Sequence, residues 1–200
     1  MKRLTVLALL LTFLLIGAGC TTPSSPRSGQ GTPKPTFSND EPDDLASQQF
    51  TVYQNSAYHF RMEYPADWTF SEMGASNIAV FFSDPSVAVK GFGDNVNVAA
   101  GTVESPVTLE EYTQAEIRRL EDRYADFSLL GTESTVINGV PAMMVTYTAT
   151  TVSDNTKAQI LHVFLLKGSA AYIVTYKSTP DRFNDGIVTV RQVIQSFEIT

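Results

Sequence analysis

The stretch AQILHVFLL, residues 158–166, is apolar in both of its registers: Leu161, Val163 and Leu165 in one, Ile160 and Phe164 around His162 in the other. A strand of this kind offers water no polar face, so it belongs in the interior of a sheet covered on both sides. The spacing predicts a helix over one face and makes loops the candidate cover for the other. Two turn signals frame its neighbours. Asn138-Gly139 is the strongest hairpin turn in the chain, and Lys167-Gly168 repeats the device. STVINGVPAMMVTYTATTV therefore reads as a hairpin whose second strand carries Met143, Val145, Tyr147 and Ala149 on one face, and SAAYIVTYKS returns alongside the 158–166 strand.

Earlier in the chain, Tyr58, Phe60, Met62 and Tyr64 alternate with His59, Arg61 and Glu63, the period of a strand with one apolar face. Pro65 ends it by lacking the amide donor that a ladder needs. Trp68 and Phe70 lie just beyond, and Trp68 reads as a core tryptophan over the sheet edge rather than a ligand-stacking one. SNIAVFFSD and the alternation of Val96, Val98 and Ala100 predict further strands. The intervening Asp84, Gly91, Gly93 and Asp94 do not follow the spacing of a calcium loop and read as turn chemistry. Thr108 with Glu111 three residues later forms a capping box. Leu109, Tyr112, Glu116, Ile117, Leu120 and Tyr124 then recur at helical spacing, Glu116 being the one polar member. Ile187, Val190, Arg191, Ile194 and Phe197 predict a second helix, and residues 197–200 a short edge strand. The order is β-β-β-turn-β-α-β-β-β-β-α-β, an α+β sandwich with both helices on one side of an antiparallel sheet.

The chain opens with Lys2 and Arg3, followed by an uncharged apolar run to Gly19 and then Cys20, the only cysteine. A basic start, an apolar middle and small residues before the break are the parts of a secretory signal. The run is shorter than the roughly 20 residues that cross a bilayer as a helix. Gly17, Ala18 and Gly19 before Cys20 resemble a lipobox, although that motif usually has a larger aliphatic residue where Gly17 stands. The expectation is a lipoprotein signal at 1–19 and a lipidated Cys20; cleavage without lipid and an uncleaved anchor are the alternatives. Residues 20–47 form a Pro/Ser/Thr-rich and acidic tether with too little apolar surface to offset the entropy of folding. Residues 48–200 are then one domain, exported and held to the outer face of the cytoplasmic membrane or to a periplasmic membrane surface. A single cysteine leaves no internal disulfide, so the core alone must hold the domain.

The formal charge of −7 becomes −9 when Lys2 and Arg3 leave with the signal. An acidic surface argues against nucleic acid as a partner and gives no polybasic support for membrane contact. The catalytic signatures are missing too: no G-x-S-x-G, H-E-x-x-H or C-x-x-C, and no phosphate-cradling loop. His59 and His162 are the two histidines; a metal site joining them with Asp67 or Asp94 is the weaker reading of both. No catalytic residue, metal or cofactor is expected. Arg118, Arg119 and Arg123 form the tight basic cluster of the domain and the candidate partner surface, with the polar tip at residues 150–157 a second. The reading is a non-enzymatic accessory or binding protein docking on a membrane protein complex. The alternatives are a carrier or sensor of a small hydrophobic or ionic ligand and, behind it, a hydrolytic enzyme.

The ordered pieces resemble the PsbP-like family. They are Tyr64-Pro65 with Asp67 and Trp68, Asn95-Val96-Asn97-Val98, the helix start Thr108-Leu109-Glu110-Glu111-Tyr112, the turn Ile137-Asn138-Gly139-Val140-Pro141-Ala142, Ala171 to Tyr176, and Ile194 to Ile199. Each is weak alone, but together they span nearly all of residues 50–200. The resemblance implies a central antiparallel sheet of about six strands flanked by helices in an α/β/α sandwich, which adds a cover on the second face. Photosynthetic members attach on the lumenal side of photosystem II; relatives in other prokaryotes, many of them lipoproteins, have no agreed activity. The metal-associated residues of plant members find no match in this chain.

Overall fold

The computed structural model describes residues 48–72, 78–87, 94–103, 106–151 and 155–200. Cys20, the signal and the tether lie outside the described residues. The elements in chain order are β1 (Phe50–Asn55), β2 (Phe60–Pro65), β3 (Thr69–Ser71), β4 (Ile78–Ser83), β5 (Asn95–Thr102), α1 (Leu109–Arg123), β6 (Ser128–Ile137), β7 (Val140–Thr150), β8 (Lys157–Lys167), β9 (Ala170–Ser178), α2 (Phe183–Gln195) and β10 (Glu198–Ile199). Seven strands make one antiparallel sheet in the order β3-β4-β5-β9-β8-β7-β6, and β1-β2-β10 make a second.

β8 lies between β7 and β9, and both of its registers are buried as its composition requires. Leu161, Val163 and Leu165 enter one core with Phe60, Met62, Trp68, Phe82, Tyr176, Val190 and Phe197. Ile160 and Phe164 enter the other with Tyr112, Ile117, Val145 and Tyr147. The two cores show what covers each face: α1 packs on one, while α2 and the small sheet pack on the other. The helices therefore lie on opposite sides of the large sheet, not together on one. The cover expected to be loops is a second sheet with a helix. Seven strands stand where about six were expected, because the short β3 extends the edge beyond β4.

Local chemistry sets the joints. Asn138 at φ +46° and Gly139 at φ +79° are the paired positive-φ residues of a tight hairpin turn. The Asn138 side chain reaches further, donating to the backbone carbonyls of Gln195 at 3.1 Å and Phe197 at 2.9 Å. It thereby satisfies carbonyls that the end of α2 would leave open. α1 begins with the expected box: the Glu111 amide donates to Thr108 Oγ1 at 3.1 Å, and the Thr108 amide donates to Glu111 Oε2 at 2.9 Å. His59, expected on a strand, instead occupies the β1–β2 turn at φ +54°. Trp68 is buried in the core beneath α2.

Candidate docking surface and the groups beneath it

α1 turns Tyr112, Thr113 and Ile117 inward, and one turn of helix places Glu116 between them on the packed side. Its carboxylate pairs with Arg119 in the next turn; the side chains are 14% and 32% exposed, respectively. Burial pushes the Glu116 carboxyl above its ordinary value, and the Arg119 guanidinium opposes that shift. Arg119 is thus committed to a partner within its own helix. Arg123 is exposed and sits over the Tyr124 ring at 5.4 Å, within cation–π range. Arg118 points to solvent. The three arginines of the basic cluster therefore divide into one structural residue and two that remain presented at the surface.

Below the C-terminal end of α1 lies an aromatic group built from β7, β8 and the α1–β6 connection. His162 meets Tyr147 edge-on at 5.3 Å and Phe164 edge-on at 5.6 Å, and Phe127 tilts against Tyr147 at 5.1 Å. His162 Nε2 stands 3.4 Å from the Tyr147 hydroxyl, and its Nδ1 is enclosed with no hydrogen-bond partner. Loss of solvent, helped by nearby Arg123, pushes the imidazole down to about 4. The ring is therefore neutral at physiological pH. It is packed edge-on between Tyr147 and Phe164.

His59, in the turn of the small sheet, shares no site with His162, which faces α1 across the large sheet. Asp94 is engaged elsewhere: it accepts from Ser178 Oγ at 2.7 Å and from Arg182 at 3.1 Å. This tie joins β5, β9 and the start of α2. Among the described residues no group of three or more histidine, cysteine or acidic side chains is placed to hold a metal ion. At the polar tip, Asp126 accepts from the Thr150 amide at 2.8 Å and from the Thr150 hydroxyl at 2.7 Å. Those bonds, the backbone one first, hold its carboxyl below the usual aspartate range. Asp126 was not legible as a clamp from sequence, since 24 residues separate it from Thr150. Residues 152–154 of the tip lie outside the described residues.

Two of the clefts among the described residues lie beside charged side chains. One, about 270 Å³, lies on the outer face of the small sheet between Val52, Arg61, Glu63, Asn138 and Glu198. The other, about 160 Å³, lies by the start of α2 between Trp68, Asp84, Asp94, Tyr176 and Arg182. Ligand pockets usually enclose about 300–1,000 Å³ with mostly apolar walls. Both clefts are smaller and rimmed by charges, so neither is the pocket that a carrier of hydrophobic molecules needs.

A family model described as PsbP-like protein matches residues 27–199. Among solved structures, cyanobacterial PsbP (CyanoP) from Synechocystis sp. PCC 6803 is similar at 18% identity and TM-score 0.59, covering 81% of this chain and 99% of that one. LpqN of Mycobacterium tuberculosis, described as involved in cell envelope biogenesis, gives 9% identity and TM-score 0.59 over 77% of this chain and 86% of its own. The Ran-binding protein Mog1p of Saccharomyces cerevisiae gives 9% identity and TM-score 0.55 over 76% and 96%. At these identities the likeness is one of fold. No curated protein matches the chain by sequence.

Proposed function

The chain belongs to the PsbP-like family, and from that premise we propose that it is a non-enzymatic accessory protein held at a membrane by lipid on Cys20. In this reading it docks on a membrane protein complex outside the cytoplasm, with α1 as the contact. The fold accommodates protein binding elsewhere: Mog1p shares it and is named as a Ran-binding protein. What carries the reading here is the exposed pair Arg118 and Arg123 on a chain whose formal charge of −7 becomes −9 once the signal is removed. A local positive site on an acidic surface orients an encounter with an acidic partner and rejects wrong orientations. A tether to the membrane raises the effective concentration of the domain near such complexes.

The test is crosslinking of full-length protein in native membranes, with attached peptides identified by mass spectrometry, for wild type and for Arg118→Glu/Arg123→Glu. Arg119 is left intact because its replacement would unpair Glu116. The expected result is one recurrent membrane-complex partner joined through α1, lost in the double variant while circular dichroism is unchanged. Unchanged capture by the double variant removes α1 as the contact. Absence of any recurrent protein partner, with the crosslinker shown to react, overturns the docking reading in favour of a small ligand.

A further inference from the structure

Among the described residues β6 is the outermost strand on its side of the large sheet and pairs only with β7, whereas the strand at the opposite edge, β3, is three residues long. Ile137 and Val140 flank the two-residue turn and close the ladder. Backbone direction alternates from there, so Thr135 and Glu133 point at β7, while the N–H and C=O groups of Thr132, Ser134 and Val136 point outward. Long open edges are usually blunted by lysine, proline or bulges. Residues 131–137, GTESTVI, contain no lysine or proline and one charge, Glu133. The irregularity in pairing lies earlier, between Leu129 and Gly131. Val136 is 59% exposed and Leu129 45%.

We propose that β6 pairs with β6 of a second copy of this chain, antiparallel about a two-fold axis at Ser134, so that two seven-stranded sheets become one. The register follows from the edge itself. Centring on Ser134 sets Thr132 opposite Val136 of the other copy and Ser134 opposite its equivalent. All three outward residues then exchange both backbone bonds. Centring on Glu133 would place two carboxylates face to face, which like-charge cross-strand pairs disfavour, and would use two outward residues instead of three. Centring on Thr135 pushes one of the three past the strand end, onto the turn at Asn138. The favoured register also puts Glu133 against Thr135. The edge is thus self-complementary, as an isologous contact requires. A short strand pair covers less than the roughly 800 Å² per partner of a standard stable interface, so the dimer is weak. This pairing does not depend on the docking reading, which uses the exposed side of α1.

Sedimentation equilibrium of the full-length protein in detergent, carried to the highest soluble concentration, tests it. Wild type is expected to pass from monomer to dimer as concentration rises. Ser134→Pro removes an amide that β7 does not use, and Val136→Lys places a charge in the new seam. Both variants are expected to remain monomeric with unchanged circular dichroism. A hydrogen-bonded antiparallel pair brings Cα atoms to about 5.5 Å, within disulfide reach. Under a mild copper oxidant, Ser134→Cys is therefore expected to crosslink copy to copy at position 134 at least tenfold faster than Thr135→Cys does at 135. A wild type that stays monomeric throughout overturns the proposal. So does a dimer that survives both edge variants, or equal crosslinking at 134 and 135.

Discussion

Replacing Arg119 by methionine keeps the aliphatic stem but removes the charge that faces Glu116. Removing one member of a buried pair costs about 3–5 kcal/mol because the other charge is left in low dielectric. Here the Arg119 side chain is 32% exposed and Glu116 14%. Water reaches part of the pair, and Glu116 can escape by taking up a proton, so the expected loss at pH 7 is about 2 kcal/mol. For a domain of this size that is a fall in Tm of about 4–8 °C. The pH dependence gives the sharper test. Glu116 is held above the ordinary carboxyl value of 4.5, with burial the first cause and Arg119 opposing it. A carboxyl raised on folding contributes stability when protonated, and that contribution is lost as pH rises through its folded value. Without Arg119 the carboxyl rises further, so the deficit of Arg119→Met relative to wild type should be large at pH 7 and small near pH 4. Glu116→Gln on the same background should restore most of the loss at pH 7. Urea denaturation of the four members of the cycle at both pH values measures this. An equal deficit at both, or no rescue by glutamine, would refute the claim that the pair is buried and coupled.

His162 should show the opposite slope: its folded value of about 4 lies below the ordinary 6.5, so its contribution is present above pH 6.5 and disappears as pH falls toward 4. His162→Phe, which keeps an aromatic ring against Tyr147 and Phe164, should flatten that limb; a resonance assigned to the His162 imidazole that titrates near 6.5 would contradict the packing. Gly186→Ala should destabilise by about 1–3 kcal/mol by overpacking, despite the better helix propensity of alanine. The added Cβ would press on the Tyr176 hydroxyl, which donates to the Phe183 carbonyl at 3.3 Å. Thermal unfolding should therefore show a lowered midpoint that Tyr176→Phe rescues, and an unchanged or raised midpoint would show that Tyr176 yields without cost.

Features written in short-range chemistry were legible in the sequence. The Asn138-Gly139 turn needs positive φ at adjacent residues, the Thr108/Glu111 box spans one helical turn, and the doubly apolar 158–166 strand must be enclosed. Side-chain period tells a strand it has an apolar face but not which sheet it joins. That is why the segregation of β1, β2 and β10 from the large sheet could not be read locally, nor the placement of α1 and α2 on opposite faces. The same limit applies to the basic cluster. Three arginines within six residues look alike in sequence, and only the packed position of Glu116 withdraws Arg119 from the surface. Glu116 itself stood out as a polar residue in an apolar series, the one signal from which its partner could have been sought.

β10 pairs with β2 by setting Glu198 opposite Arg61 and Ile199 opposite Phe60. Arg61 and Glu198 are separated by 137 residues, and Phe197 stacks on Phe60 at 5.3 Å in the core. Such distant pairing slows folding, because the loop must close before the contact stabilises anything. During synthesis the apolar side of β2 can meet Phe82, Val96 and Leu161 earlier, but its ladder with β10 and the seat of Phe197 on Phe60 wait until residues near 199 have emerged. Completion of the small sheet acts as a timer: a nascent chain keeps the edge of β2 and the seat of Phe197 open until residues near 199 are made, and a stall in elongation prolongs that exposure to aggregation.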